Sequence, residues 1–384
     1  MNAPFRIDLK NIETIPSRRT EAWKYSDLRR WLRDEPPLSP ALPEGEPNHG
    51  PFKVLTRNEV LIANGRLNWW SEDDMEAGIE VTHHAGPDSP RMADQMPMGA
   101  LAAAKALEGA HIVTFKAGEP RVLALRILSD AVKTGHHARV GVVVEAGAHA
   151  TLLESYEGWG EAYLSNILIE IFVEEKATLE RVVLIEEPND AISVTSTEVV
   201  LAPDAAYRQA VVATGARLQR LETRIAHAGQ GASVRMDGVY ALKGDRHVDL
   251  TSVVDHQGVD GTTSQLIKGV ARDTARGVFQ GKIVVERGAD GTDARMGHHA
   301  LIASERAEID AKPELIIYAD DVQCAHGNTV GTLDESALFY MQQRGIPADE
   351  ARALLTQAFL IEVIDRIDHE GAREVAREWL TARL

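Results

Sequence analysis

The chain has 384 residues, 44% of them hydrophobic, enough to bury a large core in two or three structural units. Its formal net charge is -17, from 41 Lys and Arg against 58 Asp and Glu, which repels a phosphate backbone and excludes nucleic acid as an expected partner. The single cysteine, Cys324, rules out an internal disulfide framework and limits the chain to one thiolate at any metal centre.

The opening residues carry no basic stretch followed by an apolar one, and no apolar run approaches the ~20 residues of a membrane span, so a cytoplasmic protein without membrane contact is expected. The segment Ser17 to Leu32 follows Pro16 and reads as helical, with Trp23, Leu28, Trp31 and Leu32 as its buried positions. Six of the 16 prolines fall between Pro36 and Pro51, which predicts an irregular linker. The Ala-rich run from Met98 to Leu107 predicts another helix.

From about residue 111 to residue 330, short β-branched runs alternate with Gly, Asp and Asn, the signature of strands. An apolar run, a turn, then Ala and a polar or aromatic residue recurs with Ala150, Ala177, Ala206 and Ala232 in register, at steps of 27, 29 and 26 residues. Such steps fit the stacked coils of a β-solenoid, and they equally fit hairpins recurring in a β-sandwich. Beyond Gly331 the pattern turns helical. Asp334 to Arg344 reads as a helix closed by Gly345, Pro347 opens the next, and Ala351, Leu354, Leu355, Ala358 and Phe359 form an apolar stripe continuing through Val363 and Ile367. Ile361 and Ile364 point to another face, an excess of apolar surface that suits a partner. The resulting division is residues 1–110, a helical region with the linker; 111–330, the strands; and 331–384, the helical tail.

Cys324 and His326 are the residues with most chemical promise. They follow an apolar strand, and positions i and i+2 of a strand share a face, so thiol and imidazole project together. The pair suits iron, zinc or a persulfide sulfur, yet it is half a site and needs ligands from elsewhere. Taken alone, a Cys-x-His is more often a packed cysteine beside a hydrogen-bonded histidine. His136-His137 and His298-His299 split between opposite faces and make poor clamps, Asp320-Asp321 marks a solvated strand end, and no glycine-rich loop leads into a helix as a nucleotide site requires.

The stretch from Cys324 through Ala-His-Gly-Asn-Thr-Val-Gly-Thr-Leu-Asp-Glu-Ser-Ala-Leu-Phe-Tyr-Met-Gln-Gln-Arg-Gly to Ile346 closely resembles the C-terminal signature of the SufB/SufD family of iron-sulfur cluster assembly proteins. Phe279 to Val285 (Phe-Gln-Gly-Lys-Ile-Val-Val) and Arg18 to Leu28 (Arg-Arg-Thr-Glu-Ala-Trp-Lys-Tyr-Ser-Asp-Leu) agree with it, the latter on the SufD side of the family. The resemblance implies a mainly β protein: a right-handed parallel β-helix flanked by N- and C-terminal α-helical regions. It also implies a scaffold rather than an enzyme, supporting cluster assembly and iron acquisition in a complex with a SufB-like subunit and a SufC-like ATPase, or paired with a second copy when alone. By matching position, Cys324 and His326 become ligands of a transient iron-sulfur cluster shared with the partner, His326 the better candidate, with none expected in the isolated chain. Leu338, Phe339, Tyr340, Arg344, Gly345, Leu355 and Phe359 fall in the region expected to dock the ATPase. Two departures stand out: Asn328 replaces the Ala of the family's His-Gly-Ala-Thr form, and residues 289–302 lack its Ala-Gln and Asn-rich run. The competing reading is a stand-alone enzyme, either a β-helix carbohydrate lyase or a Cys-His hydrolase.

Overall fold

The computed structural model describes residues 7–42, 50–70, 75–84 and 95–384, so part of the proline-rich stretch, residues 43–49, lies outside the described residues. From Gly135 to Gly331 the chain is a run of strands eight to ten residues long. Successive strands alternate between two sheets, ten strands in one and nine in the other, and each pairs in parallel with the strand one coil later. The architecture is therefore a parallel β-solenoid, and the sandwich alternative falls away.

One ladder sets the coil. Ala148, Ala177, Ala205 and Ala232 are all fully buried, and the amide after each of the last three donates to the carbonyl of the alanine one coil earlier. These positions are 29, 28 and 27 residues apart, so the sequence repeat is real but misplaced by two residues at Ala150 and by one at Ala206. The same ladder position continues with Gly261 and Thr292, so the buried corner takes small residues.

Inward-facing Val, Ile and Leu side chains from both sheets form the main core, for example Ile167, Ile169, Ile171 and Val173 of the strand Leu164–Val173. That core is not wholly apolar. Arg181, fully buried, grips both oxygens of Glu154 at 2.7 Å and donates to Gln209 Oε1 at 2.9 Å, so the charge is paired and its hydrogen bonds are made.

Both outer faces are covered as well. On the nine-stranded side, Leu9, Ile15, Trp23 and Leu28 pack with helix Pro97–Lys105 against Leu164, Ile192 and Leu218. The predicted Ser17 to Leu32 helix is instead a 3-10 turn, Glu21–Trp23, and a short helix, α1, Leu28–Trp31. Trp23 lies beneath the Arg220 guanidinium and Ser26 donates to Asp249, contacts made by laying the segment along the sheet, and this packing overrides local helical preference. The Ala-rich helix, α2, forms at Pro97–Lys105. Short strands at Glu59–Ala63, Arg66–Trp70 and Ile79–His84 extend both sheets ahead of residue 111.

Three helices end the chain: α3, Glu335–Gln343; α4, Ala348–Ile364; and α5, Glu370–Thr381. Asp334 caps α3 by accepting from the Ser336 and Ala337 amides, and Gly345 closes it in the left-handed region with φ +88°. The buried face of α4 is Ala351, Thr356, Leu360, Val363 and Ile364, with α5 adding Ala372, Ala376 and Leu380, packed on Val182, Val212, Val239 and Val270 of the ten-stranded sheet. Leu354 and Ala358, expected inside, are exposed, and Ile364 is buried, because the helix turns its second half onto the sheet.

Gly269 makes one crossing possible. A Cβ there would meet the Tyr240 ring carbons at 1.8 and 1.9 Å, so the missing side chain lets the ring lean across the core. Overpacking a core costs about 1–3 kcal/mol. Gly269→Ala is expected to lower the unfolding free energy by at least about that amount in urea titration; unchanged stability would mean that the ring has another place to go.

Candidate functional site

The last coil consists of the strands Glu308–Ile317 and Gln323–Gly331, and each has a partner on one edge only, Arg276–Val285 and Asp293–Ile302 respectively. At the opposite end both sheets finish in antiparallel pairs, Glu59–Ala63 with Arg66–Trp70 and Ile79–His84 with Ala110–Phe115. The solenoid thus finishes in short reversed strands on one side, the closed end, although the outer strand of each pair keeps one free edge, and in full-length parallel strands on the other, the open end.

Cys324 and His326 lie on that open strand, on the strand itself and not in the turn before it. In register they follow Ala294 and Met296, which are buried and inward-facing, so both project over the end of the core from one face. Cys324 is half-buried and packs against the core, while His326 is exposed. Burial pushes the Cys324 thiol up, the neighbouring Asp293 carboxylate pushes the same way, and a backbone hydrogen bond at Ala294 opposes them. A protease-like Cys-His nucleophile would instead need a depressed thiol.

Asn328 and Val330 continue the same face, with Ile309, Ala311, Pro313, Leu315 and Ile317 opposite them on the other edge strand. Asn328 Oδ1 sits 2.7 Å from His298 Nδ1, and His298 Nε2 sits 2.9 Å from the Tyr240 hydroxyl. His298 is fully buried between the rings of Phe279 and Tyr240, and desolvation lowers its pKa to about 4. Its neighbour His299 points the other way, to Thr329 Oγ1 at 2.7 Å, so the doublet splits between faces as expected. His136 and His137 split likewise, toward Ser39 and Asn166. Asp320 and Asp321 lie in the exposed turn between the last two strands.

The His298 and Asn328 pairing escaped sequence reasoning, although the signal was there: the two residues are 30 apart, one coil at this end of the repeat. Among the described residues no three His, Cys, Asp or Glu side chains converge to hold a metal.

The proposed docking residues are dispersed over α3 and α4. Phe339 and Tyr340 are exposed at 63% and 59%, and Arg344 stacks over the Tyr340 ring and donates to its hydroxyl at 2.9 Å. Gly345 is exposed at the turn, whereas Leu338 is buried in the protein itself. Leu355 and Phe359 are half-buried, the latter with the Lys268 ammonium over its ring.

Residues 127–359 match the family model described as SUF system FeS cluster assembly, SufBD core domain. The chain belongs to the SufBD family. It is 27% identical to the iron-sulfur cluster assembly protein SufD of Escherichia coli, over 94% of this chain and 87% of that one. It is 30% identical to a SufBD family protein of Synechocystis over 64% of this chain and 56% of that protein, and 34% identical to SufD of Bacillus subtilis over 38% of this chain and 33% of that one. The family match takes in the open end, and it stops within α4. Among the described residues no helix is long and apolar enough to cross a membrane.

Because burial holds the Cys324 proton, alkylation by iodoacetamide should be slow at pH 7 and accelerate with an apparent pKa above the ordinary thiol range. An apparent pKa below 7 would contradict this account of the site.

Proposed function

We propose that this SufBD protein is a non-catalytic scaffold of iron-sulfur cluster assembly whose open end receives a SufB-like subunit. The partner then completes a site begun by Cys324 and His326. The observation carrying this reading is the last coil. It offers two unpaired strand edges, and an apolar margin in which Ile317, Tyr318 and Val330 are each more than 40% exposed, around a thiol and an imidazole that need further ligands. Unpaired edges of this kind are templates for strand addition from another chain. A second copy of this chain fits the same edges when no partner is present.

The nascent cluster is cargo in this scheme. A soft thiolate and a neutral imidazole are suitable iron ligands, and one chain contributing two of them leaves the rest to its neighbour. Phe339, Tyr340 and Arg344, held out from the body on α3, form the surface we assign to a SufC-like ATPase. The energy of nucleotide binding there would reach the open end through the α4 contact with the sheet, where Lys268 pairs with Glu362.

Co-expression with SufB-like and SufC-like subunits tests the scheme. The three chains should co-purify, and His326→Ala should leave the complex intact while at least halving its bound iron and sulfide. Failure to assemble, or normal loading of the variant, would overturn the proposal.

A further inference from the structure

The pair that distinguishes this chain from its family pattern lies at the open end, and its geometry dictates which way an amide faces. Tyr240 is fully buried, so its hydroxyl proton needs an acceptor, and His298 Nε2 at 2.9 Å is the one within reach. The proton of the neutral imidazole then resides on Nδ1 and is donated to Asn328, whose carboxamide must turn its oxygen toward His298 at 2.7 Å. The Asn328 nitrogen, with two N–H groups, is left on the other side, at the exposed end of the core, where it has no partner among the described residues. Asn328 is two residues from His326 on the same face, about 6–7 Å along the strand, a separation comparable with the width of a small iron-sulfur cluster.

We propose that Asn328 donates an N–H···S hydrogen bond to a sulfide of a cluster held at His326 and Cys324, with His298 and Tyr240 acting as the positioning residues that aim it. The inference rests on the scaffold reading above and deepens it. Hydrogen bonds to cluster sulfurs are among the factors that set reduction potential, so the amide stabilises the more negatively charged, reduced cluster and raises its potential. Aiming is achieved by removal of choice: a flipped amide would either place N–H against N–H at His298 Nδ1 or, with the imidazole proton moved to Nε2, strand the Tyr240 proton.

The test uses the complex with SufB-like and SufC-like partners, loaded with ferrous iron and sulfide, in the unmodified form and as Asn328→Ala and Asn328→Asp. The aspartate still accepts from His298 Nδ1 and so keeps the clasp, but it has no N–H to donate. Both variants should assemble, Asn328→Asp melting as the unmodified complex does and Asn328→Ala lower for loss of the clasp, and both should show a more negative midpoint potential and lose part of the shift in Fe–S stretching frequencies seen by resonance Raman on exchange into D2O. If Asn328→Asp retains the full D2O shift, the residue only clasps the strand and the inference fails. A cluster whose Raman spectrum and potential do not respond to His326→Ala overturns the scaffold reading beneath it, an outcome distinct from the first.

Discussion

A strand in a parallel sheet has hydrogen-bonding groups on both edges, and each coil of this solenoid satisfies those of the coil before it. The rule propagates through the stack until the last coil, where Glu308–Ile317 and Gln323–Gly331 have nothing beyond them. At the other end the terminal strands are reversed and shorter, five and six residues, so less edge is left unpaired there. Both broad faces are covered by the chain's own N- and C-terminal segments, packed on the sheets through apolar clusters. The longest unpaired edges among the described residues are therefore those of the last coil, and that place holds the only cysteine of the chain.

Stacking also organises the side chains. Residues one coil apart in register form columns along the interior, and the column ending at His326 passes through Arg181, Gln209, Met236, Gln265 and Met296. The neighbouring column ends with His298 and Asn328. The first column carries hydrogen-bonding residues along its length, whereas the second changes from Val183, Val211 and Ile267 to His298 and Asn328 near the open end. Tyr240 reaches His298 across two coils because Gly269 gives up its side chain. The interior thus supports the geometry of the exposed face, and a substitution well below the surface should be felt there.

Much of this was legible in the sequence. β-Branched runs separated by turn residues marked the strands, and the alanine repeat gave the coil length to within a residue or two, because a buried corner that recurs with small residues leaves a trace. The Asp334 and Gly345 signals bracketed α3 correctly, since capping is decided locally. The N-terminal segment was misread because Trp23 and Leu28 serve the sheet surface and not a helical stripe. In α4, the spacing of Leu354 and Ala358 misled for a related reason: periodicity finds an apolar face, while the neighbouring sheet decides which residues of the helix it covers. The partnership of His298 with Asn328 needed the register of the final coil, because coil length falls from 29 residues to 27 and is 30 at the last pair.

The claim that the open coil is the docking surface is tested most directly by amide hydrogen exchange on this chain, alone and with a SufB-like partner. The account predicts that protection rises in Glu308–Ile317 and Gln323–Gly331 and stays unchanged in Glu59–Ala63 and Ile79–His84. Protection gained only at the closed end or along the sheet faces, with the last coil still exchanging freely, would contradict it.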